Sequence, residues 1–381
     1  MTSNDRTVAR DPEPTATACD ITRFSPSGAA EPIQFVTPEG RLTEHGRAHG
    51  VDIERTQQLY RDMFLARRLD TEALALQRQG ELGLWLMSLG QEAAQVGSIR
   101  AVRETDYVFP SYREHAAALA RGIGPADLLR QWRGVSHAGW DPRAHRFHIY
   151  SLVLGTQTLH ATGYALGVAL DGADEIVLAY FGDGASSEGD VSEALNWAAV
   201  MSAPVLFFCQ NNHWAISTPD AAQSRTRLAH RATGFGLESY LVDGNDVLAV
   251  HAVTSAAATR VRSGNGPAFI EADTYRMAGH STADDPGRYR PEAEVDLWRV
   301  RDPLHRVRVL LLDAGADQTF FEQLDVEAED LAAQTRQACH SFRDPDLTAL
   351  FANVYAEPHP LMERQAAEHA AYLATLDAEG R

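Results

Sequence analysis

Between Glu175 and Cys209 the chain alternates apolar and amphipathic stretches on a scale that spells strand, helix, strand. Glu175-Ile176-Val177-Leu178-Ala179-Tyr180-Phe181 is an almost unbroken apolar run. It is too short for a lone helix and rich in β-branched and aromatic residues, which reads as a strand buried on both faces, as in a parallel sheet. Pro204-Val205-Leu206-Phe207-Phe208-Cys209 is a second such run. Residues 187–201 lie between them, with Val191, Ala194, Leu195, Ala198 and Ala199 at helical spacing. The unit is a βαβ crossover, expected to be right-handed.

The rest of the pattern extends this α/β theme. Residues 51–79 read as a long helix through Leu59, Met63, Leu65, Leu69, Leu74 and Leu76, and residues 91–103, 114–121 and 126–133 as shorter ones. Residues 134–151 are rich in Gly, His and Arg and read as loop. Residues 157–170 form a small-residue helix, 240–242 and 268–272 are strands, and 247–262 is a helix. A polar loop follows at 276–290, and helices fill the remainder from about 292. The expected class is α/β: one parallel sheet flanked by helices, with helical N- and C-terminal extensions. Residues 1–30 are polar and proline-bearing, which predicts a disordered or partner-binding arm before a single domain at 31–381.

The two strands end in oxygen-bearing side chains. Gly182-Asp183-Gly184 closes the first, and Gln210-Asn211-Asn212 the second. Ligands of such sheets bind at the carboxyl ends of the strands. Asp183 offers a charged oxygen and Asn212 a neutral one, a donor pair suited to a hard cation such as magnesium, with the backbone carbonyl of Trp214 as a third ligand. Gly182 and Gly184 are expected to allow a sharp turn and close approach of a phosphate, with backbone N–H groups of Gly184 and Ala185 opening a helix as an anion site. The plain alternative is a strand-to-helix turn in which Asp183 caps the helix. A dinucleotide site fits poorly. The third glycine of its fingerprint arrives late, at Gly189, and a bare carboxylate at the turn would repel a pyrophosphate.

These residues, together with Phe109-Pro110-Ser111-Tyr112-Arg113-Glu114-His115, Leu154-Gly155-Thr156-Gln157, Asn212-His213-Trp214-Ala215-Ile216-Ser217 and Tyr275-Arg276-Met277-Ala278-Gly279-His280-Ser281-Thr282-Ala283-Asp284-Asp285-Pro286, resemble the alpha subunit of the decarboxylating component of 2-oxo acid dehydrogenase complexes, most of all the branched-chain type. The resemblance runs from about Pro32 to at least Pro303. It implies the diphosphate-binding half of a thiamine diphosphate fold, with magnesium at Asp183, Asn212 and Trp214. Tyr112, Arg113, Gly184, Ala185 and Gln210 would meet the cofactor's diphosphate side, and Leu152 and Leu154 its aminopyrimidine. His280 would reach the phosphates and the mouth of the site, donating a proton during acyl transfer. Ser151, Thr156 and Gln157 match a potassium site, although Val153 stands where the family often has proline; a helix cap from Thr156 is the plainer reading. Ser281 matches a position phosphorylated in animal enzymes.

Composition narrows the partners. The chain of 381 residues carries 34 basic and 52 acidic side chains, a formal charge of −18. That argues against nucleic acid and anionic membranes as partners. Cys19, Cys209 and Cys339 show no paired spacing, no signal peptide or membrane-length apolar run is visible, and a cytoplasmic location is expected. His145 and His148 have ligand-like spacing, but no Cys or carboxylate set completes a zinc site, so these and His137 and His160 read as surface or supporting residues. No glutamate stands in a convincing position to activate the aminopyrimidine; Glu188 and Glu193 fall on the helix after the diphosphate loop. The resemblance places that glutamate on a separate beta subunit, implying an α2β2 assembly that passes an acyl group from a small 2-oxo acid to a lipoyl domain. Alternatives are a pyruvate or acetoin dehydrogenase alpha subunit, or a non-catalytic diphosphate-binding module.

Overall fold

The computed structural model describes residues 31–352 and 354–378. The expected arm at residues 1–30, with Cys19, lies outside the described residues. Five strands form one wholly parallel sheet in the order Tyr107–Phe109, Val177–Gly182, Val205–Asn211, Ala268–Asp273, Glu238–Asp243. In the central pair Val177 lies opposite Val205 and Gly182 opposite Gln210, so the two motif-bearing ends stand side by side.

Strand periodicity sorts the core into two layers. Val177, Ala179, Phe181, Val205, Phe207 and Cys209 face one side, against helices Thr156–Asp171, Gly189–Met201 and Leu228–Gly234. Leu178, Tyr180, Leu206, Phe208 and Ile270 face the other, against helices Ile53–Arg78, Pro125–Arg133 and Val247–Arg262. Sheet residues buried on both faces explain why these runs are continuously apolar rather than alternating. Helix Glu92–Ala101 packs on Val247–Arg262 through Gly97, where an added Cβ would lie 2.8 Å from the Val250 Cγ1.

The C-terminal helices begin at Glu292, as the pattern suggests, and Pro303–Asp313 and Gln318–Ser341 pack on Ile53–Arg78. Charged pairs such as Arg68–Glu329 and Arg336–Glu72 flank that contact. Helix Pro360–Ala378 closes the described chain. Cys209 and Cys339 are both buried free thiols. Among the described residues, no helix is long and apolar enough to cross a membrane.

The strand Tyr107–Phe109 at the sheet's edge has too few residues to show a period in the sequence. Two local expectations differ from the structure. The helix after the Gly182 strand begins at Gly189 rather than 187, because Asp183–Ser187 first makes a tight 3-10 turn. Thr156 does not cap its helix; the preceding Gly155 does, at φ 81°, with no side-chain capping bond.

Candidate active site

All five strands deliver their carboxyl ends to one edge, and the loops leaving that edge enclose a cavity of about 350 Å³. Tyr112, Arg113 and Glu114 enter from the loop after Tyr107–Phe109. Asp183, Gly184 and Ala185 come from the turn after Val177–Gly182, and Gln210, Asn212 and Trp214 from the end of Val205–Asn211. Ser151, Leu152, Leu154 and Gln157 form a further wall, and His280 closes the rim. Every site residue expected from the sequence is therefore at this cavity except Thr156, which is not among its lining residues.

Asp183 is 3% exposed. Its Oδ1 accepts the Asn212 backbone N–H at 3.2 Å and its Oδ2 the Gln223 side-chain amide at 3.1 Å. No Arg or Lys pairs with it among the described residues, and burial raises its pKa, opposed by these bonds and by His213. A buried carboxylate without a cation is costly. Its bonding partners are neutral, and the helix-cap reading does not hold: Gly182 is the cap residue and no side-chain capping bond is made. Asn212 lies alongside, its Nδ2 donating to Gln91 Oε1 at 3.2 Å and its Oδ1 accepting the Trp214 N–H at 3.3 Å. The Trp214 carbonyl accepts from Arg276 at 3.1 Å, which leaves it a second lone pair.

Gly184 serves by close approach rather than by a special turn. Neither Gly182 nor Gly184 has a positive φ, but a Cβ on Gly184 would lie 2.7 Å from the Ala215 Cβ. That contact seats the Trp214–Ala215 hairpin over the Asp183 turn. Gly184→Ala should therefore destabilise the fold by about 1–3 kcal/mol, the usual cost of overpacking, read as a lower denaturant midpoint with an unchanged slope.

The opposite side is cationic, with Arg113 lining the cavity and Arg276 buried behind the lining. Arg113 donates to the Met87 carbonyl at 2.6 Å and to the His280 carbonyl at 2.9 Å. Arg276, 0% exposed, donates to the carbonyls of Trp214 and Ile216 and to the Tyr289 hydroxyl. Neither guanidinium is paired with a carboxylate among the described residues. Both reach the His280 Nδ1 at 3.4 Å. Burial, then Arg113, then Arg276, push the His280 pKa down to about 4, so the ring is neutral at pH 7 in the free chain. Burial and the two arginines together outweigh the opposing pull of Asp284. An anion between the arginines would remove their share of the shift.

Three glutamines bring unpartnered polar atoms to this cavity. Gln91, Gln157 and Gln210 are each 1–2% exposed, and Gln91 Nε2, Gln157 Oε1 and Gln210 Oε1 have no hydrogen-bond partner. Buried polar atoms are seldom left so unless a ligand or water completes them. Arg276, Gln91 and Glu114 were not singled out by the sequence reading. Arg276 lies four residues before His280, but its place is set by bonds to carbonyls some sixty residues away in the chain.

Glu188 and Glu193 are exposed, as expected of residues off the site. The described residues contain no cluster of three or more His, Cys, Asp or Glu able to hold a metal, and His148 bonds the Ile149 carbonyl and stacks on Phe109.

Residues 60–340 match the model of the family described as dehydrogenase E1 component. The chain is 45% identical over 350 residues to a 3-methyl-2-oxobutanoate dehydrogenase subunit alpha of Mycobacterium tuberculosis, covering 91% of this chain and 95% of that one. It is 35% identical over 329 residues to a pyruvate dehydrogenase E1 component subunit alpha of Acholeplasma laidlawii, covering 84% and 94%. A mitochondrial 2-oxoisovalerate dehydrogenase subunit alpha of Mus musculus is 35% identical over 334 residues, covering 84% and 76%.

Proposed function

This chain belongs to the dehydrogenase E1 component family, and we propose that it is the alpha subunit of a cytoplasmic, thiamine-diphosphate-dependent enzyme that decarboxylates branched-chain 2-oxo acids and passes the acyl group to a lipoyl domain. One observation carries the reading: a buried carboxylate with no arginine or lysine paired to it, Asp183, shares a cavity with a buried arginine paired to no carboxylate, Arg113, and a second such arginine, Arg276, lies buried behind the lining residues Trp214, Ile216 and His280. A magnesium diphosphate supplies both missing charges at once.

Asp183, Asn212 and the Trp214 carbonyl would hold the magnesium. Tyr112, Arg113 and the backbone at Gly184 and Ala185 would take the phosphates, with Gln210 below them. When bound, thiamine diphosphate supplies a carbanion equivalent and an electron sink for the carbon–carbon cleavage. This chain's contribution is to bind and orient it. Leu152 and Leu154 are 54% and 39% exposed at the cavity wall and offer an apolar surface to its rings. His280, kept neutral by burial and its two arginines, would hold a proton more readily once phosphate neutralises them, and in its protonated form would be an acid at the mouth of the site. Potassium at Ser151, Thr156 and Gln157 has narrower support, in the unpartnered Gln157 Oε1.

The substrate class follows the relatives of the branched-chain type. The assembled alpha and beta subunits should turn over 2-oxoisovalerate with a kcat/KM at least about tenfold above that for pyruvate or acetoin, a difference that pocket contacts of one or two methyl groups can supply. A preference for pyruvate or acetoin in the same panel would move the chain to the other branch of the family.

A further inference from the structure

Glu114 is the one carboxylate besides Asp183 at the cavity, and it is 1% exposed. Its Oε2 accepts the Ser111 hydroxyl at 2.7 Å, and its Oε1 accepts the Gln210 side-chain amide at 2.6 Å. That second bond dictates which way the Gln210 amide points. An ionised carboxylate only accepts, so Gln210 must offer it the NH2 group. The Gln210 carbonyl oxygen is then left buried and unpartnered. In a cavity built for a diphosphate this is the wrong end. Phosphate oxygens only accept hydrogen bonds, and an amide carbonyl beside them repels where an amide NH2 would bind.

The mismatch is removed by one proton. A protonated Glu114 can donate to the Gln210 carbonyl, and the amide then presents its NH2 group to the anion. We propose that Glu114 is a positioning residue that takes up a proton from solvent when the diphosphate binds, turning the Gln210 amide from acceptor to donor toward it. This rests on the reading of the cavity as a thiamine diphosphate site. Burial already raises the Glu114 pKa, against the opposing pull of Ser111, Gln210 and Arg113. The other ionisable groups coupled to it are Tyr150 and Tyr180, both kept protonated by burial, so neither supplies a competing charge near neutral pH. Glu114 therefore faces one fixed cation, Arg113, whose charge the arriving diphosphate would take up.

The inference separates two substitutions that a merely structural role would not. Glu114→Gln can donate its own amide to the Gln210 carbonyl and so imitates the protonated state. Gln210→Met removes the group that is turned. The experiment is titration calorimetry of thiamine diphosphate with magnesium into the assembled alpha and beta subunits, run at pH 7 in two buffers of different ionisation enthalpy. Proton uptake is read from the difference between the buffers. Relative to the unsubstituted assembly, Glu114→Gln should bind within about threefold and take up close to one proton fewer. Gln210→Met should bind about tenfold or more weakly, the scale of one hydrogen bond to a charged group, and should show the same reduced uptake. His280 contributes its own proton to all three assemblies and cancels in the comparison. Uptake by Glu114→Gln equal to that of the unsubstituted assembly overturns the inference, as does a Glu114→Gln affinity loss beyond tenfold. Absence of any binding by the unsubstituted assembly would instead overturn the reading of the cavity, and the inference with it.

Discussion

Purified alone, the chain will show no 2-oxo acid decarboxylation above background in the presence of thiamine diphosphate and magnesium, and adding its beta subunit will switch the activity on. The cofactor needs a carboxylate at its aminopyrimidine to become reactive, and this cavity has none to spare. Asp183 would be taken up by the proposed magnesium. Glu114 is held by Ser111 and Gln210 on the sheet side of the cavity. Glu188 and Glu193 are on the surface. A positioned general acid–base group is worth roughly 10²–10⁴-fold in rate, and the missing wall must also exclude water from the reacting carbon.

The surface at the cavity has the matching property. Leu152, Val153 and Ile216 are 54%, 70% and 54% exposed around the opening, an apolar rim that solvent alone would not favour. A partner that covers this rim would bring the absent carboxylate and the dry environment together. The measurement is carbon dioxide release by each subunit and by the mixture; turnover by the isolated chain would sink the idea of a divided site.

The central sheet and the edge where Asp183 and Asn212 stand were legible in the sequence for a shared reason. Strands Val177–Gly182 and Val205–Asn211 are buried on both faces, so they stay apolar through Phe181 and Cys209 and turn polar only at the sheet edge, at Asp183 and from Gln210 to Asn212. Abrupt polarity at the end of a fully apolar run marks the edge where ligands bind. The cationic wall was half visible, since Arg113 follows a strand while Arg276 sits within a polar loop whose folding is set by long-range bonds. Arg276 binds the carbonyls of Trp214 and Ile216, some sixty residues away in the chain. Trp85 and Thr282 exchange backbone and side-chain bonds that tie the His280 loop to the 84–88 turn. No local pattern encodes such contacts. The protonation of His280 was illegible likewise, because it is set by burial and by two arginines that only the fold brings within 3.4 Å.

Asp183→Asn should raise the stability of the empty chain while lowering its affinity for magnesium and thiamine diphosphate by about a hundredfold or more. The opposite signs follow from one cause. Without metal the carboxylate is desolvated and bonded only to the neutral Asn212 N–H and Gln223 amide, with His213, itself paired to Asp220 and Asp273, adding a weaker attraction. Burial accordingly raises its folded pKa above 3.8. The sign of the pH dependence is then fixed: the folded state holds this proton more tightly than the unfolded one, so Asp183 costs stability at neutral pH, and that cost fades as pH falls through the raised pKa toward 3.8. An asparagine keeps the size, can still accept from Asn212, and lets the Gln223 amide turn to meet its NH2. It removes a charge-burial penalty of about 1 kcal/mol or more.

With magnesium present the balance inverts, because the cation replaces the lost solvation and the carboxylate becomes the charged ligand in a set otherwise made of neutral oxygens from Asn212 and Trp214. Removing that charge from a hard-cation site costs at least several kcal/mol of binding, which sets the hundredfold floor. Two measurements decide it. Denaturant midpoints at pH 7 without metal should rise for Asp183→Asn, and the gain should shrink in acid. Calorimetric titration of the assembled subunits should show the loss of affinity. An empty Asp183→Asn chain less stable than the unsubstituted one would mean that the carboxylate is there for the fold, with Asn212 and Gln223 as its purpose rather than its witnesses.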